Sequence, residues 1–233
     1  MEVIAARTMN ALYMYLDVAF LLFLGATLVY TKRYLAIIVG LLAGILYFIV
    51  DYGYFYLYLG TRSVEGADPF CFLLWLSMSY GFTNFVWIWL WLDRDKRALE
   101  WSILIIASWF TTSLLSQSFG GNFAPIAISR GTGAYHGIMA LILFVGYAIL
   151  CIHNIRTTDE TRKINILAIG ILVQFAWEFV LLVTGIRNPS FMTIVVNSLL
   201  ETNLGLPYMY FIHRAVSKRY HENLSRREKI IVA

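Results

Sequence analysis

Four of the fourteen acidic residues in this 233-residue chain, Asp17, Asp51, Glu178 and Glu201, fall inside long apolar stretches. A mid-span Asp costs about 2.5 to 3.5 kcal/mol on translocon scales, and residues held at that cost face a bundle interior and mark function. No Lys or Arg falls within the same stretches. Without a basic partner at least some of these carboxyl groups, Glu201 and one of Glu178 and Asp51 among them, are expected to be protonated, which makes them neutral hydrogen-bond donors and proton sources. Gln174 and Glu178 are four residues apart, as are Asn197 and Glu201, so each pair shares a helix face. Asn84 and Asn203 add further amides. The alternative chemistry is structural, with acids and amides bonding one helix to another. That reading suits Asp17 best, because it lies nearest to water.

The elements that must hold these groups follow from composition. Hydrophobic residues make up 60% and charged residues 14%, against about 25% charged in soluble domains, and the mean hydropathy is +0.69. Apolar stretches near Leu12 to Tyr30, Tyr34 to Leu59, Phe70 to Leu92, Trp101 to Phe119, Tyr135 to Ile152, Ile164 to Gly185 and Phe191 to Phe211 are each about long enough to span a bilayer. The expected fold is all-α, a single domain over 1–233 of seven transmembrane helices, with a short basic tail from about residue 213. The connections between spans read as polar loops, and Met1 to Ala11 has no signal-peptide pattern.

Charge sets the orientation. Fourteen of the eighteen basic residues fall on one side of such a bundle, and Arg7, Arg62, Arg130 and Arg187 fall on the other. The positive-inside rule therefore places the N-terminus outside and the C-terminus in the cytoplasm of a plasma or endoplasmic reticulum membrane. All four intramembrane acids then lie in the outer half or at the midplane, around one cavity. Pro207 within the last span is expected to kink it beside Glu201.

The composition excludes a nucleic-acid partner and a disulfide scaffold. Cys71 and Cys151 fall at opposite faces, where they read as apolar packing residues. No intramembrane Lys exists to hold retinal, no phosphate loop or nucleotide fingerprint occurs, and His136, His153, His213 and His221 show no paired-ligand spacing. Neither metal nor cofactor is expected. The run after Asp51 resembles the run after Glu178, which gives a 3+1+3 parallel repeat in which spans two and three match spans six and seven.

A membrane cavity with protonated acids and many rings suits cation chemistry on a lipid-soluble prenylated substrate. A buried acid protonates an alkene or epoxide, and ring faces stabilise the migrating cation in a site kept free of water. Trp177, Phe175, Tyr47, Tyr54 and Tyr80 are the ring candidates for lining it, with Asn84, Gln174, Asn197 and Asn203 as polar company.

The string Phe175-Ala176-Trp177-Glu178-Phe179, followed by Asn188-Pro189 and Phe191, resembles the Trp-Glu segment of the small seven-span membrane-bound terpene cyclases of fungi that make meroterpenoids and indole diterpenes. The resemblance covers about forty residues. It implies a metal-independent cyclase of isomerase or lyase type in which Glu178 and Glu201 initiate cyclisation. The family's segment lies on the second helix and this one on the sixth, while Asp51 holds the second-helix place, so the acid pair is drawn from Asp51, Glu178 and Glu201. A small proton- or cation-coupled transporter would use the same acids and is the alternative function.

Overall fold

The computed structural model describes residues 4–131, 136–191, 193–200 and 205–232. Of the described residues, 78% are helical. Helices α1 (Ala11–Tyr30), α2 (Tyr34–Phe48, continued in π-helical turns as Ile49–Tyr58), α3 (Pro69–Leu92), α4 (Ala98–Phe119) and α5 (His136–Arg156) supply five segments long and apolar enough to cross a membrane. Next, π-helical Leu167–Val173 runs into α6 (Gln174–Val183), a shorter apolar helix. After a π-helical segment over Thr193–Leu200, α7 occupies Gly205–Val232.

The described parts of the expected seventh span are π-helical over Thr193–Leu200 and α-helical from Gly205, and the kink expected beside Glu201 falls outside the described residues. The basic tail is helical and continuous with α7.

The all-α expectation fails at one end of the bundle. Strands β1 (Ile4–Asn10), β2 (Arg62–Glu65) and β3 (Pro125–Gly131) form an antiparallel sheet in the order β1-β3-β2, built from the N-terminal segment and two connections read as loops. An isolated bridge from Arg7 to Arg187 adds the α6 connection to its edge. Asn10 joins sheet to bundle. Its Oδ1 caps α1 by accepting the Tyr13 N–H at 3.1 Å, while its Nδ2 donates to the Ser116 carbonyl of α4 at 2.9 Å.

The centre of the bundle is α3, with 72% of its apolar window buried against 11% for α5. It starts on an Asp68 cap, whose side chain accepts the Cys71 N–H at 2.8 Å, with Pro69 in the first turn. Its closest neighbour is α2, where Ala36, Gly40 and Gly44 repeat every fourth residue and are buried. A Cβ at Gly81 would lie 2.6 Å from the Gly44 Cα, so the two backbones meet at glycines on both sides. Around this axis Trp87, Trp109, Trp177 and Tyr13 are fully buried, and the Trp109 and Trp177 rings meet edge-to-face at 4.9 Å. The outward faces of α1, α2 and α5 remain apolar: Leu22, Leu46 and Phe144 are all exposed. Cys71 and Cys151 are free and also exposed, so the expectation that they pack in the interior is wrong.

Candidate functional site

Side chains alternate faces along a strand, and residues opposite each other in an antiparallel pair share a face. Ile126, Ile128 and Arg130 therefore lie on one side of β3. Met9 opposes Ile126, Arg7 opposes Ile128, and Arg62 opposes Arg130. Met9, Ile126 and Ile128 are buried against the bundle. The same face thus directs three arginines inward, and Arg187, bridged to Arg7, completes a set of four.

These arginines meet two of the acids that stand within apolar stretches, Asp51 and Glu178. Arg7 Nη2 donates to Glu178 Oε1 at 2.6 Å and Arg187 Nη2 to the same oxygen at 3.0 Å, while Arg187 Nε lies 2.7 Å from Oε2. Arg62 Nη2 donates to Asp51 Oδ2 at 3.2 Å and Arg130 Nη1 to Oδ1 at 3.5 Å. Arg130 also lies over the Phe55 ring, 4.9 Å from its centroid. The expectation of acids without basic partners is corrected on this point. Arginines outside the apolar stretches reach down from the sheet, so Asp51 and Glu178 are bridged counter-ions and not free carboxyl groups.

Both acids are set by the same local device. Each apolar helical segment ends at a glycine in the left-handed region, Gly60 at φ 62° and Gly185 at φ 74°. Two residues further on stands the arginine that folds back, Arg62 onto Asp51 and Arg187 onto Glu178. The sequences Leu59-Gly60-Thr61-Arg62 and Thr184-Gly185-Ile186-Arg187 are the paired signal, and π-helical turns accompany both segments, a feature frequent at functional sites.

All six charged groups line one cavity of about 580 Å³ between the sheet and helices α2, α3, α5, α6 and α7. Such a volume falls in the range of small-molecule sites. Its polar end is the arginine–carboxylate cluster together with Ser77. The remainder is apolar and aromatic, with Tyr47, Tyr54, Phe55, Tyr80, Phe85 and Tyr208 among its walls. The Tyr47 and Tyr80 rings meet edge-to-face at 5.2 Å.

Of the residues expected from sequence, the cavity gathers Asp51, Glu178, Tyr47, Tyr54 and Tyr80. Trp177 packs against Tyr13 and Trp109 in the core, Asn84 and Gln174 are buried away from the cavity wall, and Phe175 is half-buried outside it. Asp17 also stands apart, with Trp75 Nε1 donating to its Oδ2 at 2.9 Å across the α1–α3 contact. Glu201 and Asn203 lie outside the described residues, as does the side chain of Asn197. Sequence reasoning missed the four arginines as site residues. The signals for them were the period-two pattern Ile126, Ile128, Arg130 and the twice-repeated glycine two residues before an arginine.

Among the described residues no group of three or more His, Cys, Asp or Glu side chains comes together that could hold a metal ion. The side chains gathered in the cavity offer guanidinium, carboxylate, hydroxyl and ring chemistry. Comparison with known proteins gives no likeness to set beside this geometry: no family model, no curated protein and no solved structure matches the chain.

Proposed function

We propose that this chain is a seven-span membrane protein with its sheet on the outer side and its tail in the cytoplasm, and that the cavity beneath the sheet takes up a lipid-borne prenylated molecule and cyclises it. The observation that carries this reading is the joining, in one chamber, of aromatic and apolar walls to two carboxylates held by arginines. The exposed apolar faces of the helices offer a route from the bilayer, and the sheet covers the polar end.

The roles differ from those expected of free acids. Asp51 and Glu178, fixed by their arginines, suit the acceptance of the terminating proton, and Glu201 keeps the donor role that the sequence gives it. Protonation of an alkene or epoxide followed by loss of a proton to a carboxylate leaves an isomer of unchanged mass. Tyr47, Tyr80 and Phe85 present ring faces to the cation between those two steps, each worth about 2 kcal/mol when desolvated.

The test is expression of the full chain in a host fed with linear prenylated quinols, phenols and indoles, with and without a terminal epoxide. Cyclic isomers should accumulate in the lipid extract, and Tyr80→Leu should change their proportions. No isomer from any substrate, combined with thiol labelling of engineered cysteines around Glu201 from both sides of the membrane in turn, would replace the cyclase with a carrier. Reporters fused before Met1 and after Ala233 should read opposite sides of the membrane, and finding both on one side would remove a span.

A further inference from the structure

Four guanidiniums and two carboxylates among the described residues line one largely apolar chamber. Burial is costly for such groups unless every one is paired. The Arg62 side chain is 8% exposed and that of Arg187 3%, yet Arg62 Nε and Arg187 Nη1 are buried donors with no acceptor. Ser77 Oγ, also in the cavity wall and buried, has no partner either. Buried unsatisfied donors cost about 1 to 3 kcal/mol each, more when charged, so a site that keeps them is built for an acceptor that arrives from outside.

Burial lowers the affinity of Arg62 for its proton below the ordinary guanidinium range, against the pull of Asp51. It does the same to Arg187, with Arg7 adding to the effect and Glu178 opposing it. Burial is the leading cause in both, and an anion bonded to these guanidiniums would oppose it.

We propose that the polar end of the cavity is an oxyanion subsite, in which Arg62, Arg187 and Ser77 bind the carboxylate or phosphate head of an amphiphile whose apolar tail lies along Tyr47, Tyr80 and Phe85. The guanidinium fork matches either head by paired N–H···O bonds, which are among the stronger hydrogen bonds available to a protein. Only the prenyl character of the tail rests on the cyclase reading. The anionic head rests on the buried, unpartnered donors of Arg62, Arg187 and Ser77. It also meets a demand of cation chemistry, because the head neutralises the arginines before a cation forms further along the chamber.

Binding to the purified full chain in neutral detergent, followed by tryptophan fluorescence, separates the two readings. The probes are farnesyl phosphate, farnesoic acid and farnesol, with dodecyl phosphate and dodecanol as non-prenyl counterparts. The phosphate-headed probes should bind at least about tenfold more tightly than the alcohols of the same chain, a difference of about 1.4 kcal/mol, and farnesoic acid shows whether a carboxylate serves as well. Arg62→Gln should cut the head preference to about threefold or less, whereas Lys96→Gln at the opposite end should leave it intact. Displacement of bound dodecyl phosphate by farnesyl phosphate but not by farnesol, on the unaltered protein, gives the same answer without relying on a variant that folds. Equal binding of alcohol and phosphate, or a head preference unchanged in folded Arg62→Gln, overturns the subsite. Head preference without any cyclised product would leave the subsite standing and remove only the cyclase.

Discussion

The two ends of the helical bundle both concentrate arginine, and they use it in opposite ways. At the sheet end the helical segments close on glycines in the left-handed region, Gly60 and Gly185, and the arginines beyond them fold inward onto carboxylates. At the other end the residues in that same backbone region are basic, Lys32 at φ 61° and Arg94 at φ 53°, and both are exposed. Exposed Arg94 donates to the Glu160 and Lys163 carbonyls at 3.0 and 2.7 Å, and half-buried Arg33 bonds Asp95 at 2.9 Å. Where glycine relieves the turn, the cation two residues later is free to be placed with care. Where the cation itself occupies the turn, its own position in the sequence is what the fold retains, as expected of charges that orient a chain in a membrane. One end positions charge, and the other only displays it.

The largest effect should come from breaking the inward-facing pairs. Removal of one partner of a buried ion pair strands the other and costs about 3 to 5 kcal/mol. Glu178→Gln leaves Arg7 and Arg187 together without their counter-ion and should lower the thermal unfolding midpoint in detergent by the largest margin of any single charge change. Asp51→Asn should cost less, because its arginines bond at 3.2 and 3.5 Å whereas those of Glu178 bond at 2.6 and 3.0 Å. Equal loss from Asp93→Asn, an exposed acid at the other end that contacts His213 at 2.5 Å, would erase the distinction between the ends.

This contrast was only half legible in the sequence. The stretches Tyr34 to Leu59 and Phe70 to Leu92 agree with the helical segments Tyr34–Tyr58 and Pro69–Leu92 to within a residue, because length and apolarity are local quantities. The four basic residues that the sequence sets apart from the rest, Arg7, Arg62, Arg130 and Arg187, are four that line the cavity. What those four do was not legible. Arg7 and Glu178 are 171 residues apart, and a slab picture of the bilayer has no lid from which an arginine could descend. The strands that form the lid lay in segments too short and too polar to compete with the spans. Trp177 shows the opposite error: a ring beside an acid in sequence points to the other side of its helix, into the tryptophan core.

Backbone substitutions sharpen the comparison at an intermediate scale. A Cβ at Gly60 or Gly185 would meet no atom within 4 Å, so Gly→Ala at either isolates the conformational cost of a left-handed residue, about 1 to 2 kcal/mol. Gly185→Ala should in addition weaken ligand binding, since Arg187 is placed by that turn. The reverse change at the other end, Lys32→Gly, should stabilise by about 1 kcal/mol in thermal unfolding and leave ligand binding unaltered. Destabilisation by Lys32→Gly would mean that the lysine side chain, and not only its charge, is held by the fold.

The smallest effect belongs to Asp95, the best-bonded acid of the solvent-facing end. Burial opposes its charge, but hydrogen bonds from the Arg33 guanidinium and the Arg97 backbone N–H prevail and hold its carboxyl below the usual carboxylate range. A lowered folded-state value means that the unfolded chain binds the proton more readily, so this group contributes stability at all pH values above its unfolded value of about 3.9. That contribution is lost only as the pH falls further, through the folded value. Asp95→Asn should therefore cost about 0.2 to 1 kcal/mol, the scale of a partly exposed pair. The same deficit should appear at pH 7 and pH 5 and close only below about pH 4. High salt should shrink it, because solvent-facing pairs are screened, whereas the loss caused by Glu178→Gln should persist. Thermal unfolding of both variants at two salt concentrations measures this directly, and a salt-insensitive loss of several kcal/mol from Asp95→Asn would show that the two ends hold their charges by the same means.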